Sequence, residues 1–153
     1  MLTHMRAAVT EVPLSAPSPQ PSGRSVGTLT RSDPPWIEFY DEAELDGLTS
    51  IVWLRLGEPD RAEYHLHRTL GALHSDRVRN RAYYVAHLSL AQARQGDLAL
   101  ACSTGDQAAE LLAKVRGSKR TTDTLANVRK LVVSSGSREL GALNCTERAQ
   151  AWI

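Results

Sequence analysis

Histidine, cysteine and serine offer the widest chemistry in this sequence, so their spacing comes first. His65 and His67 are two residues apart; on a helix they stand about 200° apart around the axis and face away from each other. His67 and His74 can share a face, but no carboxylate or cysteine joins them at i+3 or i+4 to complete a ligand set. No metal site and no cofactor are expected. Cys102 and Cys145 lack metal-ligand spacing and are too few for a disulfide framework, so reduced thiols packed as small core residues are expected. Ser103-Thr104 and Ser134-Ser135 lie in helical or helix-end sequence, without the strand–turn–helix context of a nucleophile. No GxSxG, phosphate-binding glycine loop or HExxH occurs. Asp41, Glu42 and Glu44 read as a solvated helix face before they read as catalytic acids. The chain is expected not to be an enzyme.

The elements that carry these residues are helical. A long helix is expected from about Trp36 to Leu56, with Asp33 as N-cap before Pro34-Pro35 and Gly57-Glu58-Pro59 as its stop. The next runs from about Asp60 to His74, with Ala62, Leu66, Leu70 and Leu73 on one face. Ser75 or Asp76 can cap a third through Gln95, stopped by Gly96. Asp97 can cap a fourth through about Arg116, stopped by Gly117. Ser118 opens a fifth that ends near Ser135-Gly136, and Ser137 opens a last one reaching Trp152. No segment sustains strand alternation, so the fold class is all-α.

These helices fall into three pairs. The hairpin glycines Gly57, Gly96 and Gly136 are spaced by 39 and 40 residues. Five residues after each stands a small residue: Ala62, Ala101 and Gly141. Seven before the first two stand Ser50 and Ser89. Small residues at these offsets let antiparallel helices approach closely while glycine turns the chain. The pattern resembles the tetratricopeptide repeat, with units about one helical turn longer than the nominal 34. The expected architecture is a short right-handed α-solenoid of about three helix pairs.

Particular phrases sharpen the resemblance. Pro35-Trp36-Ile37-Glu38-Phe39-Tyr40-Asp41-Glu42-Ala43-Glu44-Leu45 is similar to a segment in the C-terminal repeat region of actinobacterial helix-turn-helix regulators of the Xre type. So are Leu56-Gly57-Glu58-Pro59-Asp60-Arg61-Ala62, Arg79-Asn80-Arg81-Ala82-Tyr83-Tyr84, Gln95-Gly96-Asp97 and Ser118-Lys119-Arg120. The similarity covers about residues 34–153. The resemblance implies a protein- or peptide-binding module, a regulatory part or relative of such transcription regulators. In that family a DNA-binding domain precedes the repeats. Here the first 33 residues are expected to be a disordered tail, so DNA binding is not carried over.

In tetratricopeptide arrays the first helix of each pair lines a concave groove. The glycine frame puts Glu44, Leu48, Ile51 and Arg55 there, then Tyr83, His87, Leu90 and Arg94, then Asp123, Asn127 and Lys130. Arg55 and Arg94 each stand two residues before a turn glycine, and such guanidinium groups would suit an acidic peptide or a terminal carboxylate. Each arginine could equally pair with an acidic neighbour or serve the last turn of its own helix. Trp36, Phe39 and Tyr40 form either a cap over the open end of the array or an assembly edge for a homodimer or hetero-complex.

Composition bounds the remaining possibilities. The 153 residues suffice for one domain with a sizeable core. Lys and Arg number 18 against 17 Asp and Glu, which argues against a protein held to nucleic acid by bulk positive charge. The rival reading is a direct DNA-binding regulator using the basic stretch Arg77, Arg79 and Arg81, with Arg68 upstream. Nothing approaches the ~20 apolar residues of a membrane-spanning helix, and Thr10, Glu11 and Pro13 interrupt any signal-like block. A cytoplasmic location is expected. Residues 1–33 carry prolines at 13, 17, 19 and 21 and no helical period. They read as a linker, or less simply as a PxxP-type ligand.

Overall fold

The computed structural model describes residues 41–135 and 140–152, without the side chains of residues 140–143 and 146. The expected tail at 1–33, the edge Trp36, Phe39 and Tyr40, and the turn glycine Gly136 lie outside these residues. Six helices follow in order: α1 Glu42–Leu56, α2 Pro59–Ala72, α3 Val78–Gln95, α4 Leu98–Ala113, α5 Lys119–Ser134 and α6 Leu140–Ala149. A single 3₁₀ turn, Gln150–Trp152, follows α6. No strand occurs among the described residues.

The turn glycines do what their sequence positions require. Gly57 and Gly96 have φ of 79° and 90°, a left-handed conformation that disfavours residues with a β-carbon. Both close their helix in the same way. The Gly57 and Glu58 amides donate to the Leu54 and Trp53 carbonyls, and the Gly96 and Asp97 amides donate to those of Ala93 and Gln92.

Helix starts depart from expectation at two places. α1 begins at Glu42, not near Trp36. Asp41 is extended (ψ 171°), and its carboxylate accepts from the Glu44 amide at 2.9 Å. An aspartate that satisfies an otherwise unpaired first-turn donor defines the start more strongly than the upstream prolines. α3 begins at Val78 with Arg77 as its N-cap residue, so neither Ser75 nor Asp76 caps it. Asp97 does cap α4, accepting from the Leu100 amide at 3.1 Å.

α1 packs on α2, and α3 on α4; α3 also lies against α2 and α5, while α6 crosses α4 and α5. The central helix α3 is consequently buried on every side from Tyr84 to Ala93. Its small residues Ala82, Ala86, Ser89 and Ala91 allow that close approach. The predicted close-contact positions Ala62, Ala101, Ser50 and Ser89 are fully buried. Ser89 donates across the hairpin to the Ala101 carbonyl at 2.6 Å, whereas Ser50 donates within its own helix to Gly47. Leu66, Leu125 and Val128 are fully buried, each worth roughly 1.5–3 kcal/mol of transfer free energy.

The cysteines correct the expectation of reduced thiols. Cys102 on α4 and Cys145 on α6 form a disulfide, with Cα atoms 5.6 Å apart. Both positions are core positions, as expected, but α6 lies across α4 so that the two side chains meet. Closing a 43-residue separation stabilises the fold by about 4 kcal/mol on chain-entropy grounds.

Candidate functional site

A cleft of about 890 Å³ opens where the beginnings of α3 and α5 meet α1. Glu44 and Leu48 come from α1, and Arg77, Arg79, Asn80, Tyr83 and Tyr84 from the start of α3. Gly117, Ser118, Lys119 and Arg120 come from the start of α5. Four cationic side chains therefore face one carboxylate.

That carboxylate is already engaged. Glu44 accepts from the Tyr84 hydroxyl and from the Asn80 amide, each at 2.6 Å, and Arg77 lies 3.8 Å away. Burial, then the hydrogen bond to Glu44 and its charge, push the Tyr84 phenol above its ordinary pKa, so Tyr84 remains a donor. Arg77 also lies 3.8 Å from Asp41, and Lys119 pairs with Asp123 at 2.8 Å. Arg120 stacks over the Tyr83 ring at 5.1 Å. Arg79 is exposed. Neither Arg77 nor Ser118 makes a side-chain cap for its helix, and neither first turn contains an acid. The positive ends of two helix dipoles thus add to the cationic side chains at one cleft.

A second, smaller cleft of about 190 Å³ lies between α1 and α3, lined by Ile51, Leu54, Arg55, Tyr83, His87, Leu90 and Arg94. His87 Nδ1 lies 2.9 Å from the Tyr83 carbonyl, an acceptor only, so Nδ1 carries the proton and Nε2 the lone pair. Burial, together with the charges of Arg120 and Arg94, pulls the His87 pKa below its ordinary value against the opposing pull of that carbonyl.

The predicted groove residues on α1 and α3 therefore gather at these two clefts: Glu44, Leu48 and Tyr83 at the larger, and Ile51, Arg55, Tyr83, His87, Leu90 and Arg94 at the smaller. Asp123, Asn127 and Lys130 on α5 do not join them; all three are exposed and line neither cleft. Arg55 and Arg94 share a sequence position but not a role. Arg94 donates to the Leu54 carbonyl, closing the end of the preceding α1, while Arg55 is exposed in the last turn of α1 itself.

The basic stretch also divides. Arg77 and Arg79 line the larger cleft, but Arg81 turns back to the Leu70 and Leu73 carbonyls at the end of α2, both at 3.4 Å. Sequence reasoning missed Lys119 and Arg120 as cleft residues, although a signal was present. Arg79 and Lys119 each stand seventeen residues before a glycine of the sequence repeat, Gly96 and Gly136, and Asn80 and Arg120 are the next equivalent pair.

Two further histidines on α2 meet acidic side chains. His65 meets Asp46 at 3.0 Å, an aspartate that also holds Arg68 at 3.2 Å and so ties α2 to α1; His67 lies 3.5 Å from Glu63. Burial pushes the Glu63 pKa up, but hydrogen bonds from Gln95, Gln92 and His67 outweigh it and leave it lowered. No helix among the described residues is long and apolar enough to cross a membrane. Neither a protein-family model, nor a curated protein, nor a solved structure matches the chain.

Proposed function

We propose that this chain is a peptide-binding helical-repeat module of the tetratricopeptide type, a regulatory part or relative of bacterial Xre-type transcription regulators. The ligand is an acidic segment of a protein, laid along α1, α3 and α5. The observation that carries this reading is the larger cleft. Arg77, Arg79, Lys119 and Arg120 surround it, while its one acid, Glu44, is occupied by Tyr84 and Asn80. Arg77 and Lys119 already have acidic neighbours, so an incoming carboxylate meets the guanidinium forks of Arg79 and Arg120 without displacing an anion from them. The identical closure of α1 and α3 by Gly57 and Gly96, 39 residues apart, supports the repeat architecture.

Fluorescence anisotropy with labelled acidic, neutral and basic peptides tests the proposal. The acidic peptides should bind, weaken with added salt, and lose at least tenfold in affinity in the Arg79→Glu/Arg120→Glu variant. Both side chains are exposed, so the substitutions should leave the fold intact. Binding indifferent to those substitutions sinks the groove reading. Salt-dependent binding of duplex DNA in preference to every peptide replaces it with the DNA-binding reading.

A further inference from the structure

The C-terminal helix is fastened to one short stretch of α4. Cys145 is bonded to Cys102. The Trp152 ring lies against Gly105. The Trp152 indole donates to one oxygen of Asp106 at 2.8 Å, and Arg148 holds the other at 2.9 Å. Five residues of α4, from Cys102 to Asp106, thus receive the covalent bond, the aromatic contact and the ion pair. α6 itself has ten residues, too few to persist as a helix once detached.

We propose that the Cys102–Cys145 bond is a redox-operated latch, closing the C-terminal helix onto α4 when oxidised and releasing it when reduced. The reductant is a cellular dithiol. Its thiolate attacks one sulfur, forming a mixed disulfide and expelling the other cysteine as a thiolate that takes up a proton. The second thiol of the reductant then displaces the remaining protein thiol. The protein gains two electrons and two protons as two thiols, and the dithiol leaves as a disulfide. Cys102 is 1% exposed and Cys145 0%, so the attacking thiolate reaches them only after α6 has lifted. Closure and reduction therefore oppose each other. Release uncovers the surface of α4 and α5 on which α6 packs, so that surface becomes available only under reducing conditions. The latch rests on the packing of α6 and not on the peptide cleft.

Hydrogen exchange on the full chain, oxidised and then treated with dithiothreitol without denaturant, tests this. Amides of residues 140–149 should lose at least 100-fold of their protection on reduction, while those of α1–α3 keep theirs. The Cys102→Ala/Cys145→Ala variant should exchange like the reduced chain whatever the redox conditions. Protection at 140–149 that survives reduction overturns the latch. Global loss of protection, or a bond that opens only in denaturant, also overturns it and assigns a permanent staple. Two free thiols that oxidised glutathione fails to join overturn it as well.

Discussion

Trp152 lies so close against Gly105 of α4 that a β-carbon at residue 105 would overlap its ring. Gly105 is therefore a seat for the aromatic and not a flexible point in the helix. Gly105→Ala should gain about 1 kcal/mol of helix propensity but lose more through overpacking, for a net destabilisation of about 1–2 kcal/mol. Gly47→Ala, whose β-carbon would meet the Tyr84 ring, should behave alike. Gly71→Ala is the control: nothing lies near its β-carbon position, so the chain should become more stable by about 0.5–1 kcal/mol. Urea titrations of the three variants check the signs. A stabilised Gly105→Ala would remove Trp152 from its seat.

The Tyr84–Glu44 bond should dominate the response to alkali. Its charge-assisted hydrogen bond is worth about 1.5–3 kcal/mol, the cost expected for Tyr84→Phe at neutral pH. Above about 10, the ordinary phenol value, the unfolded chain gives up this proton while the native phenol keeps it. The unfolded state then binds fewer protons, so the stabilisation present below that pH is lost as pH rises. Stability measured from pH 8 to 11 should fall more steeply in the unsubstituted chain than in Tyr84→Phe. Parallel curves would contradict the buried phenol.

The helices were legible in the sequence because their stops are chemical. A left-handed turn favours glycine, and Gly57 and Gly96 carry that requirement on their face. The start of α1 was misplaced because Pro34-Pro35 resembles a first turn. The better signal was Asp41 with Glu44 three residues on, a pairing whose value lies in the amide that Asp41 accepts. On α1 and α3 helical register was enough to bring the named residues to two clefts. Asp123, Asn127 and Lys130 line neither cleft, because register gives a face of α5 but not the packing that determines what that face meets. The basic cleft and the disulfide depend on contacts between distant segments, α3 with α5 and α4 with α6. The repeat spacing puts Lys119 and Arg79 at equivalent positions but does not say that they line one cleft, and no local pattern encodes that Cys145 comes to rest on Cys102.

Gln92 bridges three helices from inside the core. Its carbonyl accepts from the Thr104 hydroxyl at 2.7 Å, and its amide donates to Glu63 at 3.1 Å. Gln92→Leu keeps the volume but leaves a buried hydroxyl on α4 without this partner, at a cost of about 1–3 kcal/mol. Thr104→Val in the same chain removes that orphan and should recover a large part of the loss. A double-mutant cycle by chemical denaturation measures the coupling. Strict additivity would mean that the two side chains do not share a hydrogen bond.

His87 should set a response to acid opposite in direction to that of Tyr84. It is buried, stacked on Tyr83 with ring centroids 4.3 Å apart, and bonded through Nδ1–H to the Tyr83 carbonyl. Burial first, then the nearby charges of Arg120 and Arg94, hold its pKa below the ordinary 6.5. As pH falls past that value the unfolded histidine takes up a proton and the native one does not. The unfolded state then binds more protons, so stability present above 6.5 is lost as pH falls toward the native pKa. His87→Phe keeps an aromatic ring beside Tyr83 but cannot titrate, and should show a shallower decline between pH 7.5 and 5. An acidic peptide near Arg120 and Arg94 would offset the charges that repel this proton. Binding should therefore raise the His87 pKa and strengthen between pH 7 and 6 in the unsubstituted chain only. Ring-proton NMR titration with and without peptide reads the shift directly, and an unmoved His87 would separate the second cleft from the binding surface.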